Sequence, residues 1–202
     1  MKKTKEKWLD EEFLVEMSKV ITKLTEKGAQ ISNTDLSGIV IDNKSPVEQL
    51  RKSYLFESKL LNVDLSYSTI SGSANQSDWR KVILTKAKLD RCSINKSQIK
   101  ECNFQEAKLV INADDTIFEN CSFVNAKLGI GTYGYEYGGR RTKFYNCDFT
   151  DAVFRNQEFR ASRFYNCNFT NTKFVNCDLR GIKIEGNKPK DEQFEKMDVP
   201  QF

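Results

Sequence analysis

From Phe144 to Ile184 a large apolar residue returns at every fifth position. Phe144, Phe149, Phe154, Phe159, Phe164, Phe169 and Phe174 carry the beat, and Leu179 and Ile184 continue it. Two positions before each stands a mostly small residue: Cys147, Ala152, Gln157, Ser162, Cys167, Thr172, Cys177 and Ile182. The three remaining positions are mostly polar. Residues two apart share a face of an extended chain, so each unit turns one large and one small side chain inward. A helix of 3.6 residues per turn cannot keep such a beat on one face. Five-residue sides with a corner between them close instead into a square coil of twenty residues, and short periods of this kind mean stacked coils.

Longer phrases repeat at the coil length. FYNCDFTD at 144–151 returns as FYNCNFTN at 164–171, and Ala87-Lys88-Leu89 returns as Ala107-Lys108-Leu109 and, nineteen later, as Ala126-Lys127-Leu128. Residues twenty apart should lie on one another at about the 4.8 Å spacing of strands. Their backbone groups then pair from coil to coil, as buried strand backbone must.

Before the coils, residues 1–27 read as an amphipathic helix within an N-terminal segment 1–30. Leu9, Phe13, Met17, Val20, Ile21 and Leu24 recur at helical steps, Asp10 is a candidate N-cap and Gly28 stands at the C′ position. The first coil of such a stack has an open end, and a helix with one apolar stripe can cover it; the alternative is a helix that binds a partner. Coils fill 31–187. Ser45-Pro46-Val47-Glu48 predicts a short helical insertion over 46–52. The centres at Ile70 and Trp79, and at Leu109 and Phe118, are nine apart rather than ten, which places a side short by one residue near Asn75 and another near Asp114. Residues 129–141, GIGTYGYEYGGRR, read as a projecting loop. The tail 188–202 either covers the last coil or pairs with a second copy.

The units Val63-Asp64-Leu65, Cys102-Asn103-Phe104, Cys147-Asp148-Phe149, Cys167-Asn168-Phe169 and Cys177-Asp178-Leu179 resemble the pentapeptide repeat family, over about residues 34–186. The resemblance implies an all-β solenoid, a right-handed quadrilateral β-helix, here with an N-terminal capping α-helix. It also implies DNA gyrase as a candidate partner, because family members that confer quinolone resistance bind it. Those proteins mimic DNA in shape and negative charge, are dimers, and in some cases use a projecting loop.

Charge departs from that pattern. Residues 53–187 hold 19 Lys/Arg against 15 Asp/Glu, and the whole chain is +4; a DNA mimic needs a negative field. The chain has no histidine, which removes the commonest general base and imidazole–thiolate zinc sites. All six cysteines fall at the small inward position, as packing residues rather than disulfides or ligands. Gly129-Ile130-Gly131-Thr132-Tyr133-Gly134 matches GxGxxG in letters but is not followed by a helix. No catalytic residue, cofactor or metal is expected. The absence of an apolar leader or span predicts a cytoplasmic protein with no membrane contact.

Two features suggest recognition. Lys143, Arg163 and Lys183 should stack in one column beside Tyr145 and Tyr165, and Lys88, Lys108 and Lys127 in another. The loop adds Tyr133, Tyr135, Glu136, Tyr137, Arg140 and Arg141, residue types enriched in binding hot spots. The leading expectation is a non-enzymatic scaffold that binds a protein through the loop and one flat face. The alternatives are a topoisomerase-interacting protein and a binder of nucleic acid or another anion through the basic strips. A coil end or the tail is the candidate surface for a homodimer.

Overall fold

The computed structural model describes residues 2–52, 54–129 and 137–201. It is a parallel β-solenoid. One sheet stacks eight strands from Gln30–Asp35 to Lys183–Glu185. A second runs from Val40–Ile41 through Thr69–Ser73, Lys88–Ser93, Lys108–Asn112, Lys127–Leu128, Val153–Arg155 and Lys173–Val175 to Phe194–Glu195. Isolated parallel bridges such as Asp148 to Asn168 join the coils on another side, and backbone bonds such as Phe159 N–H to Asp178 C=O join them on the remaining one. Taking the Phe144 strand as the first side, the chain visits Phe144, Phe149, Phe154 and Phe159 in turn, and Phe164 begins the next coil directly on Phe144.

Every centre from Phe144 to Ile184 is buried, as is every small residue two positions before it. Aromatic rings therefore stack along the axis. Phe104 lies on Phe123 at 4.8 Å, Phe118 on Phe144 at 5.0 Å, and Phe144 on Phe164 at 4.8 Å between ring centres. The small position makes its own ladders. Ser77, Ser97, Thr142 and Ser162 are buried, and each hydroxyl donates to a carbonyl of the preceding coil (Leu55, Ala74, Ala113 and Gly139), which satisfies a polar group that would otherwise be expensive to bury.

Each corner needs one residue at positive φ, two past the centre. Asn146, Asp151, Asn156, Asn166, Asn171 and Asn176 hold φ between 50° and 57° there. Asn and Asp tolerate this left-handed conformation better than other side chains, which is why they recur at that place in the unit.

The N-terminus differs from the single helix expected. Three short pieces form, Lys2–Glu6, Glu11–Glu16 and Ser18–Leu24, with a 3-10 turn at Lys7–Leu9. Asp10 does cap, accepting from Phe13 N–H, but the cap restarts the helix in a new phase. Leu9 is consequently 67% exposed, while Trp8 is buried and donates from Nε1 to Ser37 O at 2.9 Å. Gly28 lies beyond the last helical residue, at φ 75°, and donates to Phe56 O on the way into the first strand. The insertion is a 3-10 turn, Glu48–Lys52, with Ser45 Oγ accepting from Val47 N–H and Val47 and Leu50 buried beneath it.

The two short sides have Ala74 and Ala113 as their centres, but the missing residue lies earlier than Asn75 or Asp114. Pairing shifts between Ile70 and Gly72, and again where Cys92 meets Ile111, so the residue opposite Arg91 is the one absent. The coil also resumes earlier than expected. Gly139 N–H bonds to Glu158 O as a regular centre does, so Arg140 and Arg141 belong to the coil; Arg141, at φ 56°, is its corner. Gly139 stands where neighbouring coils carry Ala113 and Phe159.

The tail adds a partial rung. Phe194 stacks on Phe174 at 5.1 Å, Gln193 Nε2 donates to Phe169 O and Thr172 O, and Lys173 pairs with Glu195.

Candidate functional site

In-register pairing sets Lys143 on Arg163 and Arg163 on Lys183 along the first side. One residue past the centre, Tyr145 lies on Tyr165 with rings 4.6 Å apart and 5° from parallel. Lys143 and Lys183 are exposed, and neither has a carboxylate within ion-pair distance among the described residues. Arg163 is half-buried and held by backbone, its Nη1 donating to Ala161 O, Ser162 O and Gly181 O. Cations at this spacing repel by about 1 kcal/mol per pair in water. An anionic group across the strip would relieve that repulsion.

The arginines before this strip are differently placed. Arg140 forms a two-toothed pair with Glu158, Nε to Oε1 at 2.9 Å and Nη2 to Oε2 at 3.0 Å. Arg141 does the same with Asp115, at 2.7 Å for both bonds. The hydrogen bond from Arg141 holds the Asp115 carboxyl below its usual range and raises the guanidinium in turn. Neither arginine is therefore an open cation. On the fourth side a ladder climbs from Arg140 through Glu158, Arg160 and Asp178 to Arg180. Hydrogen bonds from Arg180, then Arg160, hold the nearly buried Asp178 far below the ordinary carboxylate range. Counting back five from Phe144 gives Gly139, so Arg140's membership of this ladder was available from the beat.

Tyr133, Tyr135 and Glu136 lie outside the described residues, as does most of the GxGxxG stretch. Tyr137 is described. It pairs beside Gln157 on the fourth side. Leu128 lies on the third side and Tyr137 on the fourth, whereas Tyr145 and Tyr165 sit where the first side meets the second. Tyr137 and the Tyr145–Tyr165 pair thus lie on different sides of the coil. Lys88, Lys108 and Lys127 do stack on the third side, where Lys88 is neutralised by Asp90 at 2.8 Å.

The six cysteines are buried and free. Burial pushes the Cys92 thiol up to about 12 and that of Cys177 up to about 11. No cluster of potential metal ligands occurs among the described residues. Nor is any helix among them long and apolar enough to cross a membrane.

Residues 111–194 match the family model described as Pentapeptide repeat region. Five-residue coils continue on both sides of that segment, so the column is a parallel β-solenoid of five-residue units of which 111–194 resemble that family. No curated protein matches it. Among solved structures it is similar to HetL, a pentapeptide repeat protein involved in heterocyst differentiation regulation from Nostoc sp. strain PCC 7120, at 12% identity, covering 79% of this chain and 85% of that one, with a TM-score of 0.38. It is similar also to full-length QnrB1, a plasmid-mediated fluoroquinolone resistance protein, at 14% identity over 77% and 93% of the two chains, with a TM-score of 0.42. A pentapeptide repeat protein of the Arabidopsis thaliana thylakoid lumen matches at 18% identity over 59% and 67%, with a TM-score of 0.31. Likeness at this level is a likeness of repeat architecture and says nothing of function.

Proposed function

We propose that the chain is a non-enzymatic interaction scaffold whose protein partner docks on the first side, over Lys143, Arg163 and Lys183 and the tyrosines beside them. The observation that carries this reading is the stack of Tyr145 on Tyr165 next to a column of like charge. The rungs hold the two tyrosines and Arg163 in place before any partner arrives, so little ordering entropy is lost for them on binding. Rigid tyrosines supply contact area, and the cations favour a partner that presents carboxylates. The lack of histidine and the flat sides of the solenoid support a binding role over a catalytic one.

The test is retention of proteins from lysate by the full chain and by a variant with Lys143→Glu, Lys183→Glu, Tyr145→Ala and Tyr165→Ala. The expected result is a protein retained after nuclease treatment and lost in the variant. Retention unchanged by these substitutions overturns the reading. Loss on nuclease treatment, with a steep salt dependence, would instead indicate nucleic acid. Recovery of gyrase, with an effect of the chain on its supercoiling activity, would indicate the topoisomerase role. Deletion of 130–136 tests separately whether that segment takes part.

A further inference from the structure

Near the N-terminal end the third side is no longer flat. The turn Glu48–Lys52 leaves the coil, and an open cleft of about 730 Å³ forms between it and the sheet. Four cations line this cleft, Lys44, Arg51, Lys88 and Arg91, against two carboxylates, Asp42 and Asp90. Lys88 is taken by Asp90. Lys44 and Arg91 have no ion pair among the described residues. Arg51 donates through Nε to Ser45 O at 2.9 Å, which fixes its guanidinium at the wall without neutralising it.

Tyr54 divides this cleft from a second, mostly apolar hollow lined by Phe56, Thr25, Ser73 and the stem of Lys27. The ring of Tyr54 is 56% exposed and rests against Gly72, where a Cβ would come within 2.9 Å of it. Gly72 is at a corner, with φ 85°, and only a residue without a side chain leaves room for the ring there. The ring is thus seated by the backbone and lines both the cationic cleft and the apolar hollow.

We propose that this place binds a small aromatic anion, a planar ring carrying a phosphate or carboxylate. The ring would lie against Tyr54 and the anionic group between Arg51, Arg91 and Lys44. Arginine forks suit such oxygens, and a stacked ring adds attraction that charge alone does not. The site is separate from the first-side surface, and neither proposal depends on the other.

The test titrates the full chain with adenosine monophosphate as probe, followed by amide chemical shifts, with adenosine and inorganic phosphate as the ring-only and charge-only comparisons. The expected result is saturable shifts centred on Tyr54 and Arg91, with a Kd of about 1 mM or tighter. The two comparison ligands should bind at least about tenfold more weakly. Arg91→Gly removes the charge while keeping a residue suited to the corner φ of 52°. Together with Tyr54→Ala it should weaken the probe by about tenfold or more at an unchanged melting temperature. Shifts absent from this cleft, binding equal to that of phosphate, or indifference to both substitutions overturns the proposal.

Discussion

Tyr145 lies flat on Tyr165, ring centres 4.6 Å apart, although twenty residues separate them along the chain. The strands that carry them are paired in register, so the contact is a property of the coil and not of a loop. A double-mutant cycle with Tyr145→Ala and Tyr165→Ala, read by urea unfolding, should give a coupling of about 0.5–1.5 kcal/mol. A coupling of zero would mean that the rings do not touch in solution.

Phe149 is fully buried, with Phe123 stacked on one side at 5.0 Å and Phe169 on the other at 5.6 Å. Phe149→Ala should cost about 3–5 kcal/mol of stability, measured by chemical denaturation. Phe194 stacks on Phe174 but is only partly buried, so Phe194→Ala should cost clearly less. Equal losses would contradict the end position of the tail rung.

How far the chain could be read in advance follows from where the beat is marked. Phe149 and Cys147 announce themselves because each coil repeats the same large and small pair. Gly139 holds a centre position with no side chain, so only its spacing of five before Phe144 marked the resumed coil, and Arg140 and Arg141 read as loop. The short sides were detectable from the nine-residue steps, but Ala74 and Ala113 are weak markers and the absent corner residue could not be placed. Leu9 fitted a helical stripe; the cap at Asp10 changed the phase, and only tertiary packing decided that Trp8 takes the buried place. Of the expected recognition surface, the first-side column was legible from the twenty-residue period. The pairing of Arg141 with Asp115 was not, because those residues are 26 apart and the inserted segment hides their adjacency.

Asn166 sits at a corner with φ 50°. Asn166→Ala should destabilise by about 1–2 kcal/mol, because a Cβ without a compensating polar group is strained in the left-handed region. Asn166→Gly should be nearly neutral. Thermal melts of the two variants check this, and an alanine variant as stable as the glycine one would show that the corner relaxes.

Asp178 supplies an acid-dependent part of the stability. Its carboxyl is depressed in the folded state by Arg180 and Arg160, so the stabilisation is complete above the unfolded value of about 3.9 and is lost as pH falls below it. Melting temperature against pH should therefore drop in this acid range for the parent chain and more shallowly for Asp178→Asn. Parallel curves for the two proteins would remove Asp178 from the account.

The buried thiols should be inert. With Cys92 pushed up to about 12 and Cys177 to about 11 by burial, these two thiols should resist iodoacetamide at about pH 8 in the native chain, and all six cysteines should react once it is unfolded. Unfolded thiols ionise near 8.5, so stability should also decline as pH rises beyond that value. Rapid native labelling at either residue, read by mass spectrometry, would contradict the burial.

The corner after Leu128 has a practical meaning. Gly129 N–H still pairs with Leu109 O, and Tyr137 and Gly138 pair with Gln157 and Glu158, so the register is kept on either side of residues 130–136. Foreign peptide spliced between those two points would be displayed at one fixed height on a stiff rod, leaving the coils on either side free to keep time without it.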